Sequence, residues 1–118
     1  VKASLPGSVC MRRQLGIAPE DPAVFRPVTI DEADAVARIV SNDTSVASSR
    51  PVARVGIIYD LMPLHVRPSR TAVARAIGIT NATVRRREAQ WELCDAVVRF
   101  DLVQRAMRSV IAIRASAR

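Results

Sequence analysis

Aromatic residues are scarce in this chain: one Trp, one Tyr and two Phe make up 3% of 118 residues. Single-stranded nucleic acids are held by stacking bases on aromatic side chains, so that mode of binding is disfavoured from the outset. Histidine is scarcer still, with His65 alone, and the two cysteines, Cys10 and Cys94, lie far apart. This set matches no zinc-ligand spacing, so no metal site is expected. Free thiols in a reducing compartment are the default reading. No apolar run approaches transmembrane length, and the N-terminal stretch lacks the apolar core of a signal peptide. A cytoplasmic protein without a membrane partner is expected. Catalytic groupings are lacking as well. His65 has no recognisable partner and reads as a surface residue, the acidic residues form no pair, and the cysteines have no base nearby. Neither an enzyme nor a cofactor is expected.

The chain does have apolar content, at 49%, and enough length for one domain with a real core. It also has a lopsided charge. Residues 1–60 balance seven basic against seven acidic side chains, whereas residues 61–118 hold eleven basic and four acidic, so the whole net charge of +7 lies in the second half. Such a field suits a phosphate backbone, and equally an acidic partner or an anionic surface. Sign alone does not choose among them.

Residues 1–28 are punctuated by Pro6, Gly7, Gly16, Pro19, Pro22 and Pro27 and show no sustained period. They read as an irregular N-terminal arm, with one short helix around Cys10–Leu15, ahead of a domain over 29–118. Thr29-Ile30-Asp31-Glu32 is a capping box, and Ala33, Val36, Ala37 and Val40 follow it at helical spacing. That helix should end near Ser41. Residues 42–49 are polar and loop-like. A second helix begins around Arg50 and Pro51, with Val52, Val55, Ile58, Tyr59 and Met62 on its apolar face.

The most informative stretch runs from Arg70 to Trp91. Ser69 caps a first helix whose Val73, Ala74 and Ile77 face inward, and Gly78 offers the positive φ of a tight turn. Thr80 caps a second helix, and Val84 returns to the shared core. This is the spacing of a helix-turn-helix, whose second helix enters the major groove of duplex DNA. Arg87 stands where an apolar residue is usual, and Trp91 one turn later is expected to supply the missing core contact. At about 100° per residue from Val84, Ala82 and Arg86 point most directly outward, flanked by Thr83, Arg85, Ala89 and Gln90. A slim face carrying methyls, a hydroxyl, an amide and guanidiniums matches what base edges require. The alternative is a solvated helix with a charge run.

Beyond Trp91, Leu93, Ala96, Phe100, Val103, Met107 and Val110 recur at three and four residues, and Val97, Val98, Leu102, Ala106 and Ile111 widen that stripe. The segment either closes the domain's own core or forms a helical homodimer interface over residues 91–113. Arg105, Arg108, Arg114 and Arg118 suit a helix C-terminus and need not be DNA contacts. The fold expected is all-α: a compact helical domain with a central helix-turn-helix, a long C-terminal helical segment and an irregular arm before it.

Taken in order, Val28 to about Val110 resembles the C-terminal, duplex-binding domain of the bacterial replication initiator DnaA. Val28-Thr29-Ile30-Asp31-Glu32 looks like its opening helix, and Arg50-Pro51-Val52-Ala53 resembles the place where its basic loop meets the next helix. Thr80-Asn81-Ala82-Thr83-Val84 is similar to the family's Asp-His-Thr-Thr-Val signature, matching at the second threonine and the valine. The resemblance implies Thr80, Asn81, Ala82 and Thr83 at the major groove and Arg50 in the minor groove. Thr80 and Asn81 replace the acidic and histidine positions, the turn is a residue shorter, and residues 42–50 are poor in basic side chains, so the origin-box sequence is not the expected site. No Walker motif accompanies the domain. Similar domains occur detached from the ATPase in bacterial transcription regulators, including activators of phage-like gene transfer agents.

The function expected is therefore sequence-specific binding of double-stranded DNA by a transcription regulator in contact with the transcription machinery. Arg85 and Arg86 would contact bases or phosphates, Asn81 and Thr83 would hydrogen-bond near the helix start, and Arg50 or Arg70 would touch flanking phosphates. Two other functions fit the same sequence. One is an oligomeric DNA-packaging adaptor of the small-terminase type, assembled through the last helix. The other is an anti-activator that keeps the fold and binds protein rather than DNA.

Overall fold

Thr29, Ser69 and Thr80, the caps expected from the sequence, each start a helix. The computed structural model describes residues 26–43, 50–62 and 66–117, among which there are five helices and no strand. They are α1 (Ile30–Asn42), α2 (Arg50–Leu61), α3 (Arg70–Ile77), α4 (Asn81–Glu92) and α5 (Ala96–Ser116). Both halves of the capping box form at α1: the Thr29 hydroxyl accepts from Glu32 N–H at 3.2 Å, and the Glu32 carboxylate accepts from Thr29 N–H at 3.1 Å. Ala33, Val36, Ala37 and Val40 are all buried, as their spacing requires. Cys10, the stretch around Cys10–Leu15, His65 and Arg118 lie outside the described residues.

Helix α2 departs from its sequence reading. It is not a helix with one apolar face: Ala53, Val55, Gly56, Ile57, Ile58, Tyr59 and Leu61 are buried, whereas Val52 is only half-buried. A helix apolar on most sides belongs in the middle of a bundle, and α2 packs against α1, α4 and α5. Val55, Ile57 and Ile58 are wholly buried there, each side chain worth about 1.5–3 kcal/mol of transfer from water.

Two polar clasps hold the bundle together. Arg54 of α2 forks onto Asp34 of α1, with Nε–Oδ1 at 2.7 Å and NH2–Oδ2 at 3.0 Å, and Asp34 is buried. At the far end of the chain Arg114 of α5 is also buried. It donates to both carboxylate oxygens of Glu32, at 2.7 and 3.1 Å, and to the carbonyls of Arg26 and Pro27 at 2.6 and 3.2 Å. The guanidinium therefore ties α5 to the segment entering α1, where Val28 joins the core. Hydrogen bonds from Arg114 are the main cause that lowers the Glu32 carboxyl from 4.5 to about 2; Thr29 N–H and the charges of Arg114 and Arg26 add to this, and burial opposes it.

The heptad-like stripe beyond Trp91 is not one surface. Helix α4 stops at Glu92, and Asp95 starts α5 afresh by accepting from the N–H groups of Val97 and Val98. Leu102, Val103, Ala106, Val110 and Ile111 close the core against α1 and α2. Leu93, Ala96, Val97, Val98 and Phe100 are exposed.

Candidate nucleic-acid interface

Helices α3 and α4 are joined by three residues, Gly78, Ile79 and Thr80. The Ser69 hydroxyl caps α3 by accepting from Ala72 N–H at 3.1 Å. Gly78 ends it in the left-handed region, φ 75° and ψ 36°, and the N–H groups of Gly78 and Ile79 both reach the Ala74 carbonyl. Open space surrounds the missing Cβ of Gly78, so backbone conformation and not crowding calls for glycine there. Thr80 Oγ1 then caps α4, accepting from Thr83 N–H at 3.2 Å and lying 2.9 Å from Thr83 Oγ1.

The inner side of α4 is set by two residues one and three turns in. Val84 is wholly buried, and Trp91 is buried against α2, its Nε1 donating to Asp60 Oδ2 at 3.0 Å. Trp91 thus supplies the core contact that Arg87, half-buried, does not. Beside it lies a polar patch around the buried Tyr59. Tyr59 is stacked under the Arg67 guanidinium at 5.7 Å, and its hydroxyl has no hydrogen-bond partner among the described residues. Burial pushes its phenol well above the ordinary range, and the neighbouring Glu88 carboxylate pushes it further. Glu88 is held in an ion pair by Arg70 Nε at 3.0 Å.

The outer side consists of Asn81, Ala82, Arg85, Arg86, Ala89 and Gln90, all exposed. No ion pair engages Arg85 or Arg86 among the described residues. The first turn of α4 carries no acidic side chain, in contrast to α1, which has Asp31 and Glu32 there. The positive end of the α4 dipole and two unpaired guanidiniums therefore share one surface, a combination that attracts anions.

Several residues singled out from the sequence have work inside the protein. Thr80 and Thr83 are occupied with the cap. Asn81 Nδ2 donates to Thr71 Oγ1 of α3 at 3.0 Å, bridging the two helices across the turn. Arg70 begins α3 and is braced by Glu88, and Arg50 is exposed at the start of α2. Arg75 was missed by the sequence reading. It is exposed in the last turn of α3, four residues from Thr71, with no ion pair among the described residues. The signal for it was the same as for Arg85: an arginine opposite the buried Val73 and Ala74. Among the described residues no helix is long and apolar enough to cross a membrane, and no cluster of His, Cys, Asp and Glu could hold a metal. Cys94 is a free thiol, half-buried.

No protein-family model, no curated protein and no solved structure matches this chain.

Proposed function

We propose that this chain binds double-stranded DNA in a sequence-specific manner through α4, as a non-enzymatic transcription regulator that works as a homodimer. The observation that carries the reading is the sidedness of α4. Val84 and Trp91 fix one side in the core, and the opposite side offers Ala82, Arg85, Arg86 and Gln90 to solvent. Arginines on such a face can pair with guanine edges, and Gln90 with adenine. Arg75 and Arg50, both exposed, would serve as phosphate contacts from other helices, and Arg70 is a weaker candidate because Glu88 already engages it. Asn81 reads a base only by leaving Thr71. The resemblance of Thr83-Val84 and its surroundings to the initiator domain supports the same use of α4.

The test is selection of bound sequences from random duplexes at several salt concentrations. An enriched motif, with affinity falling steeply as salt rises, is the expected result. Salt-sensitive binding without enrichment would favour a packaging adaptor. Absence of binding would favour a protein-directed anti-activator.

A further inference from the structure

Two contacts across the turn fix which flank of α4 the preceding helix occupies. Asn81 Nδ2 donates to Thr71 Oγ1 at 3.0 Å, and Arg70 Nε donates to Glu88 Oε1 at 3.0 Å. At about 100° per residue from the buried Val84, Asn81 and Glu88 stand at roughly 60° and 40°, so the first turn of α3 lies along that flank. Arg85 follows at about 100°, beside the same flank and sideways to the core direction. Arg86 stands at about 200°, almost opposite Val84, and Gln90 at about 240°, beyond it on the side away from α3. Ala82 and Ala89, at roughly 160° and 140°, separate the two arginines and leave the space beside Arg86 open. Arg85, Arg86 and Gln90 are exposed, and no hydrogen bond or ion pair engages their side chains among the described residues.

We infer that the two arginines divide the work: Arg86 and Gln90 determine the DNA sequence bound, as readers of a guanine and an adenine, whereas Arg85 binds phosphate. This rests on the use of α4 proposed above and adds which of its side chains carries specificity. In a helix-turn-helix the first helix crosses the DNA backbone while the second lies in the major groove. A side chain on the flank that α3 covers is therefore led to the backbone that α3 crosses, which the exposed Arg75 of α3 would also meet. A side chain opposite Val84 is led to the floor of the groove instead. There a guanidinium pairs with guanine O6 and N7, and an amide with adenine N6 and N7. Arg86 and Gln90 are four residues apart, about 6 Å along α4, against about 3.4 Å per base pair. The guanine and the adenine therefore lie within about two base pairs of each other.

Selection from random duplexes, run in parallel with the full wild-type chain and with R85A, R86A and Q90A, tests the division. All three positions are exposed, and unchanged far-UV circular dichroism confirms that each variant is folded. The wild type should select a motif with a guanine and an adenine at that spacing. R86A should lose the preference at the guanine alone and Q90A at the adenine alone, each by roughly tenfold. R85A should keep the whole motif, weaken selected and random duplexes by the same factor and reduce the salt slope by about one. A motif that R86A and Q90A leave intact, or one from which R85A erases a position, would overturn the division while leaving DNA reading by α4 in place. A wild type that selects no motif would overturn the reading of α4 itself, and the division with it.

Discussion

The indole of Trp91 lies so close against the bare Cα of Gly56 that a methyl added at Gly56 would fall inside the ring. This contact, with the Trp91–Asp60 hydrogen bond, is what presses α4 onto α2 and fixes which side of α4 faces outward.

Substituting Gly56 should therefore have the opposite sign from the usual helical glycine. In an open helix Gly→Ala stabilises by about 0.5–1 kcal/mol. Here Gly56→Ala meets a rigid ring on a buried helix and should destabilise by about 1–3 kcal/mol or more. Trp91→Ala should cost about 3–5 kcal/mol. Urea denaturation checks both; a Gly56→Ala protein as stable as the wild type would mean that α2 and α4 do not meet in this way.

Stability should fall in acid through Glu32. Its folded carboxyl is lowered to about 2 from an ordinary 4.5, so the contribution is complete above pH 4.5 and is lost as pH falls towards 2. The side chain is 27% exposed, and with some allowance for solvent the loss is on the order of 2–3 kcal/mol. Urea midpoints measured from pH 6 down should show it, and Arg114→Gln should flatten that part of the profile. An unchanged slope in Arg114→Gln would break the assignment.

Tyr59→Phe should change stability by less than about 1 kcal/mol, because the buried hydroxyl has no partner of good hydrogen-bond geometry and has only the neighbouring Glu88 carboxylate to offset its desolvation. Thermal denaturation measures this. A clear loss of stability would show that the hydroxyl is hydrogen-bonded in solution.

The parts of this fold that were legible in the sequence are those written locally. Thr29, Ser69, Gly78 and Thr80 act on backbone groups within four residues, so the sequence alone located three helix starts and one turn. The outward face of α4 followed from its period once Val84 was placed inside. Contacts between distant residues carry no such local signal. Arg114 and Glu32 are 82 positions apart, and nothing near Asp34 announces Arg54. The break between α4 and α5 was visible in Asp95 ahead of an apolar run, but the heptad spacing runs straight across it and concealed it. Asn81 was legible as a polar residue at the helix start, but its bond to Thr71 depends on how two helices cross.

Contact between the Arg85–Arg86 side of α4 and duplex DNA, as proposed above, is tested by a salt titration of duplex binding for the wild type and for Arg85→Ala, Arg86→Ala and the double variant, on a selected and a random duplex. Each single variant should lose about 1–3 kcal/mol on the selected duplex if its arginine reads a base, with relaxed specificity. An arginine that touches only phosphate should weaken both duplexes alike and reduce the salt slope by about one. Binding by the double variant that is indistinguishable from wild type on both duplexes would overturn the proposed contact.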